Sequence, residues 1–387
     1  MVLFQTLKSK KYFRDLPLLE DCKNLFTSSS LEGVSLICAQ HLVSTTYTMF
    51  HYFFDLGLNP KDLYVIGKCY STDPRVFQQL LNDGVNVSSL STYFDSLEPY
   101  DERYKLNLSH FFSSSLKSLC SPKKLLILDD GGYLLNIANE IFPENTLVAG
   151  IEQTSAGYNL LKNIHLNFPV INVARSRVKL YYESPIIANL VVQRISLFFD
   201  NLLLIKPRVL IIGYGFIGKA IEKKLKTING IRQIDLYDPI KKIGFFSEDE
   251  INKYIGDYDV IIGCSGNTVL SNVNYPYLKR PVFLISASSS DREFDAVKLR
   301  YTLPKTRNPH ENLNIKGIHL TNCGFPYPFD GCYDEIDLKD FQLTRSLLLA
   351  AVLQANSISS RKVGFVRLNR NIQNQIIQKY YNLEELN

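Results

Sequence analysis

The sequence predicts an α/β protein made of two doubly wound domains, the second inserted into the first. Short apolar runs alternate with helix-patterned stretches through the first half of the chain, a pattern that makes a mostly parallel sheet covered by helices on both faces. A second alternating series follows a glycine-rich turn at residues 213–218, and two further helix patterns, 343–354 and 371–381, come after it. At 387 residues the chain exceeds one typical core, so two domains are the expectation.

In chain order, the runs at 34–38, 63–66, 124–128, 147–151 and 170–173 read as buried strands. Helical patterns at 43–56, 74–82 and 132–142 lie between them. The serine-rich stretches 27–30 and 113–115 read as loops. Residues 184–201 form a long helix pattern that is apolar nearly all round. Such a helix must be buried, either joining two domains or lying in an oligomer interface. Strand patterns at 208–212, 231–237, 258–263, 281–286 and 316–320 follow. The expected organisation is a substrate domain over 1–185, completed by 340–387, with a Rossmann-type domain over 186–339.

The glycine-rich turn carries the chemistry. Gly213, Tyr214, Gly215, Phe216, Ile217 and Gly218 stand between an apolar strand and a helix pattern, the context that a dinucleotide-binding fingerprint requires. The first glycine allows a tight turn, Gly215 lets a pyrophosphate approach the backbone, and Gly218 allows close packing of helix on strand. Asp238 follows about 20 residues on, where a carboxylate meets ribose hydroxyls. With no arginine directly after it, Asp238 favours NAD over NADP.

Composition removes several function classes. The net charge of +5 is small for this length and its lysines and arginines are dispersed, so nucleic acid is not an expected partner. Lys241 and Lys242, like Lys8 to Lys11, read as solvated surface. Seven cysteines form no C-x-x-C pair and no ligand spacing with histidine. They read as reduced thiols of a cytoplasmic protein without a metal site. No leader pattern is present at the N-terminus and no membrane span is expected. No Ser-His-Asp nucleophile motif is evident.

Several strings in this order resemble the S-adenosylhomocysteine hydrolase family. They are His41, Ser71-Thr72-Asp73, Asp129-Asp130-Gly131-Gly132, the segment Gly150 to Gly157, Pro169 to Val173 with Lys179 and Glu183, the Gly213 turn, Asp238-Pro239, Gly263 to Gly266, and Leu320 to Gly324. The resemblance covers about residues 34 to 355. It implies a bound NAD that is reduced and re-oxidised within each turnover. A ribose hydroxyl is oxidised to a ketone, the adjacent proton becomes acidic, a group is eliminated, water adds and the ketone is reduced. The cofactor holds the hydride and the protein supplies bases and orientation.

Carried over residue by residue, Lys179 falls on the catalytic lysine, Asp130 on the acid/base aspartate and His41 on a histidine beside the leaving group. Glu183 stands where the family has aspartate, and Gln153 where it has a catalytic glutamate, which glutamine cannot replace as a proton acceptor. Thr154 and Ser155 match hydroxyls near the nicotinamide ribose, Asn322 matches an asparagine at the nicotinamide end, and Gly266 a backbone approach to the adenosine half. By alignment the family's ribose acid falls on Leu236, two residues before Asp238. Thr45 replaces the residue that reads the adenine amino group, Ser289 replaces a histidine, and the Lys…Tyr C-terminal tail is missing.

The expectation is therefore an NAD-dependent hydrolase, lyase or dehydratase acting on a nucleoside-like or sugar-like small molecule, but not on S-adenosylhomocysteine itself. The cofactor is expected between the two lobes of the chain, and a homodimer or homotetramer is the expected assembly. The alternatives are a net NAD-dependent dehydrogenase and a non-catalytic NAD-binding homologue.

Overall fold

The computed structural model describes residues 15–26, 29–119, 122–144, 146–202, 206–238, 240–244, 250–332, 338–358 and 362–385. Lys8 to Lys11, Thr27, Cys120, Pro239 and the last two residues of the C-terminal tail lie outside them. The described residues fall into two compact units. One lies within Met1–Thr92, Tyr104–Leu180 and Asp337–Asn387, the other within Tyr93–Arg103 and Tyr181–Ile336.

The first unit holds strands β1 (Val34–Ala39), β2 (Leu63–Ile66), β3 (Asn86–Val87), β4 (Lys124–Asp129), β5 (Val148–Glu152) and β6 (Pro169–Asn172). With the late strand Gly364–Arg367 they form one parallel sheet, in the order Gly364–Arg367, β6, β5, β4, β1, β2, β3. Leu36 of β1 pairs with Leu63 of β2 and Leu126 of β4. Both neighbours of β1 are parallel, so it is buried on both faces, which explains its unbroken apolar run. From β1 the chain builds outward to β2, and from β4 it builds the other way to β5. The order therefore reverses between β1 and β4, and the crevice beyond their carboxyl ends is where open α/β sheets bind ligands.

The serine-rich stretch at 113–115 is helix, not loop. It lies in the 19-residue helix Tyr100–Ser118. Leu108, Phe111 and Phe112 bury one face of that helix. The Ser115 hydroxyl donates to the Phe111 carbonyl one turn back, at 2.8 Å, and so is satisfied without breaking the helix.

The second unit holds β7 (Arg208–Ile212), β8 (Gln233–Tyr237), β9 (Val260–Gly263), β10 (Val282–Ser286), β11 (Leu313–Ile315) and β12 (Ile318–Leu320). Their order is β11, β12, β10, β9, β7, β8. All pairings are parallel except β11 with β12. The run at 316–320 is therefore not one strand. Lys316 and Gly317 take φ of 50° and 85° and form the tight turn of a hairpin whose first arm is β11. The apolar helix Ser184–Leu202 buries Ala188, Val191, Val192 and Ile195 against Val209 and Ile211 of β7 and the helix Phe216–Leu225. Its hydrophobic character is thus used to cover the second unit's own sheet.

The segment Tyr93–Arg103 belongs with the second unit, and Arg300 ties it there. This arginine is 1% exposed. It donates to the Ser96 carbonyl at 2.8 Å, the Cys323 carbonyl at 2.5 Å and the Asp291 carboxylate at 2.6 Å. Among the described residues no helix is long and apolar enough to cross a membrane.

Candidate functional site

In the second unit the strand order reverses between β7 and β9, and the loops after β7, β8 and β9 line a cleft of about 540 Å³. The three fingerprint glycines stand in different surroundings there. Gly213 has φ of 98°, and a Cβ on it would lie 2.6 Å from the Ser265 nitrogen. A Cβ on Gly218 would lie 2.1 Å from the Gly213 carbonyl oxygen. Both positions are glycine because protein backbone presses on them. Gly215 differs: it precedes the helix Phe216–Leu225 and a Cβ on it would meet no atom within 4 Å. Phe216 is exposed at the start of that helix, and Ile217 packs towards the core.

Asp238 follows β8 and lines the cleft. One carboxylate oxygen accepts from the Tyr214 N–H at 2.8 Å and the other from the Lys241 N–H at 3.0 Å. Each oxygen keeps acceptor capacity, since a carboxylate offers about four lone-pair sites. Leu236 lies inside β8, paired with Ile211 and packed towards the core, so Asp238 is the acid at the strand's end. Lys241 is not only surface. It lines the cleft and its ammonium bonds to the Tyr214 carbonyl. Ile240 and Val273, 84% and 64% exposed, add aliphatic walls.

Glu293 gave no signal in the sequence. It is fully buried and accepts from the Gly266 N–H at 2.6 Å and from the hydroxyls of Ser265 at 3.0 Å and Ser288 at 2.5 Å. Burial pushes its carboxyl up. It fixes the loop after β9, where Gly266 has φ of 75° and open space over its Cα. Ser289 is exposed after β10. Asn322 is fully buried with φ of 54°, and its amide donates to the carbonyls of Pro326 at 3.1 Å and Phe329 at 2.7 Å.

In the first unit, the ends of β1, β2, β4 and β5 converge on one polar cluster. His41, after β1, places Nε2 3.3 Å from Asp130 Oδ2, after β4. Its Nδ1 lies 2.5 Å from the Ser71 hydroxyl. Lys68, after β2, bonds to the other Asp130 oxygen. The Gln153 amide, after β5, also donates to Asp130, and accepts from the Gln40 amide at 3.1 Å. Burial pushes Asp130 up, but Lys68 and His41 outweigh it and hold the carboxyl well below its ordinary range. Burial holds His41 below its ordinary value, with Asp130 opposing.

Ser71, His41 and Asp130 thus form a hydrogen-bonded chain that no linear motif announced. Ser71 is fully buried, so it orients the imidazole and presents no nucleophile. Lys68 was not singled out in the sequence; its place after β2, one strand from the reversal, is the signal that could have found it. Thr45 is buried and accepts from the Arg345 guanidinium at 3.1 Å. Thr154 caps the helix Ser155–Leu161, accepting from the Gly157 N–H at 2.9 Å, and its own N–H and hydroxyl donate to buried Glu152 at 2.7 Å. Ser155 is exposed. Lys179 and Glu183 open and close a π-helical turn, Lys179–Glu183. Such turns recur at functional sites.

Behind the cluster, Asp129 accepts from the Leu135 N–H at 2.9 Å. Burial pushes its carboxyl up to about 7. The folded chain therefore keeps this proton between about pH 4 and 7 while the unfolded chain has lost it, so stability falls as pH rises through that window. Asp129→Asn removes this term and keeps an acceptor for Leu135. The variant is expected to gain on the wild type by about 2–4 kcal/mol between pH 5 and pH 8. Urea unfolding at both pH values reads this, and an equal difference at both would contradict it.

No protein-family model matches the chain. It is similar to the uncharacterized protein Rv0104 of Mycobacterium tuberculosis (strain ATCC 25618 / H37Rv), with 40% identity over 338 residues, 84% of this chain and 65% of that protein. It is also similar to S-inosyl-L-homocysteine hydrolase of Methanopyrus kandleri, with 24% identity over 293 residues, 72% of this chain and 65% of that protein. The chain therefore spans 65% of the length of these curated relatives. Among solved structures, a dipicolinate synthase chain from Bacillus halodurans aligns with a TM-score of 0.47 and 11% identity, covering 84% of this chain and 99% of that one.

Proposed function

We propose that the chain is an NAD-binding enzyme that transiently oxidises a hydroxyl-bearing carbon of a nucleoside-like or sugar-like substrate, ahead of an elimination or hydration. The observation that carries the reading is Gly215, a glycine that no protein atom requires, set at a helix N-terminus over an open cleft. A pyrophosphate needs that free backbone and the N–H groups that a helix N-terminus leaves without intrahelical partners. Asp238 would accept from ribose hydroxyls, and Ile240 and Val273 would flank the base. Gly266, Thr154, Ser155 and Asn322 are proposed cofactor contacts by resemblance. NAD, when bound, supplies the hydride acceptor.

The residues of the first unit would handle protons and orientation. His41 is the member of the cluster that would exchange a proton. Asp130 and Gln153 orient it and the substrate hydroxyls. Lys179, with Glu183 nearby in sequence, is proposed as the base for the hydroxyl that is oxidised. Thr45 and Ser289 would meet the substrate. The similarity to a hydrolase named for an inosyl compound supports a nucleoside-like substrate.

The test is to load the protein with NAD, add a panel of nucleosides and watch for reduced nicotinamide. Reduction that reverses on the protein is expected, with Lys179→Ala slowing it by roughly 100-fold or more. Undiminished rates in that variant would remove lysine from the chemistry. Reduced cofactor accumulating in solution would mark a net dehydrogenase, and no reduction by any nucleoside a non-catalytic binder.

A further inference from the structure

We propose that Lys68 is a positioning residue that holds Asp130 as a permanent carboxylate, so that proton exchange in the first unit's cluster takes place at His41 and not at Asp130. This rests on reading that unit as the proton-handling half of the enzyme.

The donors around Asp130 carry the argument. It receives the Lys68 ammonium on Oδ1, and the Gln153 amide and His41 Nε2 on Oδ2. A proton on Asp130 would displace one of these donors. It would also leave the Lys68 ammonium, whose side chain is 6% exposed, beside a neutral acid in a low-dielectric site, and an uncompensated buried charge is strongly unfavourable. Asp130 itself is 4% exposed, whereas the His41 side chain is 17% exposed, so His41 is the member of the cluster that reaches outward.

The tautomer follows. A carboxylate accepts only, so His41 carries its proton on Nε2, and Nδ1 accepts from the Ser71 hydroxyl. Uptake of one proton gives an imidazolium whose two N–H groups face Asp130 and the Ser71 oxygen, both able to accept. The charge change is thus supported on both sides of the ring.

Other groups bear on His41 from each neighbouring element. Lys68 and Tyr70 come from the end of β2, and Arg345 from the helix Leu338–Ser357. Asp129 at the end of β4, Glu152 at the end of β5 and Tyr104 of the helix Tyr100–Ser118 bear on Asp130 or Lys68 behind it. Lys68 and Arg345 both disfavour the imidazolium and Asp130 favours it. Removing the Lys68 charge therefore raises the pH at which the His41–Asp130 pair takes up its proton, and the His41 ring reads that step.

The experiment is NMR titration of ¹³C-labelled histidine in the full chain, with the His41 resonance identified by its loss in His41→Asn. Lys68→Met is expected to raise the His41 midpoint by about one pH unit or more, and Lys68→Arg to leave it near the wild-type value. A lysine that only stabilised the fold would lower the melting temperature and leave the midpoint in place. An unmoved His41 midpoint in folded Lys68→Met, or wild-type Asp130 titrating above about pH 5, overturns the proposal. If Lys68→Met does not fold, Asp130→Asn against Lys68→Met/Asp130→Asn gives the same comparison, with the double variant expected higher and equality fatal. NAD binding is measured on the same samples and should match the wild type in Lys68→Met. Failure of the wild type to bind NAD would sink the proposed function and leave the titration result standing.

Discussion

Gly215→Val is expected to abolish dinucleotide binding at a small cost in stability, while Gly218→Ala is expected to destabilise the fold more. The two glycines belong to one fingerprint but answer to different neighbours. At Gly218 a Cβ would lie 2.1 Å from the Gly213 carbonyl, so helix and turn must separate, a change worth about 1–3 kcal/mol. At Gly215 a Cβ meets no protein atom within 4 Å. Its backbone, with φ of −75° and ψ of −162°, is extended and does not need glycine's positive φ. Stability should fall by no more than about 1 kcal/mol, the cost of a poorer helix cap. The valine branches would occupy the space that a pyrophosphate needs, and affinity should fall by about 100-fold or more, roughly 2.7 kcal/mol. Thermal melts and NAD titrations of both variants read the two effects separately. A large loss of stability in Gly215→Val would show that the glycine serves the fold and not a ligand.

Arg300→Met carries the other large expected effect. It leaves Asp291 buried with its cation gone and orphans the carbonyls of Ser96 and Cys323, three acceptors that the guanidinium satisfies at 2.5 to 2.8 Å. Removing one partner of a buried ion pair costs about 3–5 kcal/mol. Burial already pushes the Asp291 carboxyl up, with Arg300 opposing, so the variant forces a proton onto Asp291 or a charge into the core. The second unit's urea transition should move by that amount. Adding Asp291→Asn should restore part of it, because the two residues are coupled. A double variant no better than the single one would place the energy elsewhere.

The sheets were legible because each strand is a short apolar run with few polar interruptions, as strands buried on both faces must be. Elements without that signature were not. The edge strand Gly364–Arg367 is only partly buried, and β11 follows a stretch of Asn and Glu that reads as loop. The helix over 113–115 was hidden because its serines bond within the helix, which propensity alone does not reveal.

The site was legible where chemistry follows local sequence. The glycine turn, Asp238, Asp130 and His41 all stand at strand ends, and strand ends can be read. Lys68, Arg345 and Glu293, which were not legible, act across distances of tens to hundreds of residues. Glu293 reaches Gly266, 27 positions earlier, and Arg345 reaches Thr45, 300 positions earlier. By resemblance Thr45 stands in place of the residue that reads the adenine amino group. Its hydroxyl accepts from a guanidinium that nothing nearby in sequence announces.

Calorimetric titration of NAD into the purified wild-type chain, with Gly215→Val as the control, tests the central claim most directly. Saturable binding with one NAD per chain, absent in the valine variant and much weaker for NADP, is the predicted result. A folded wild-type chain that shows no heat of binding and carries no dinucleotide as purified would contradict the account.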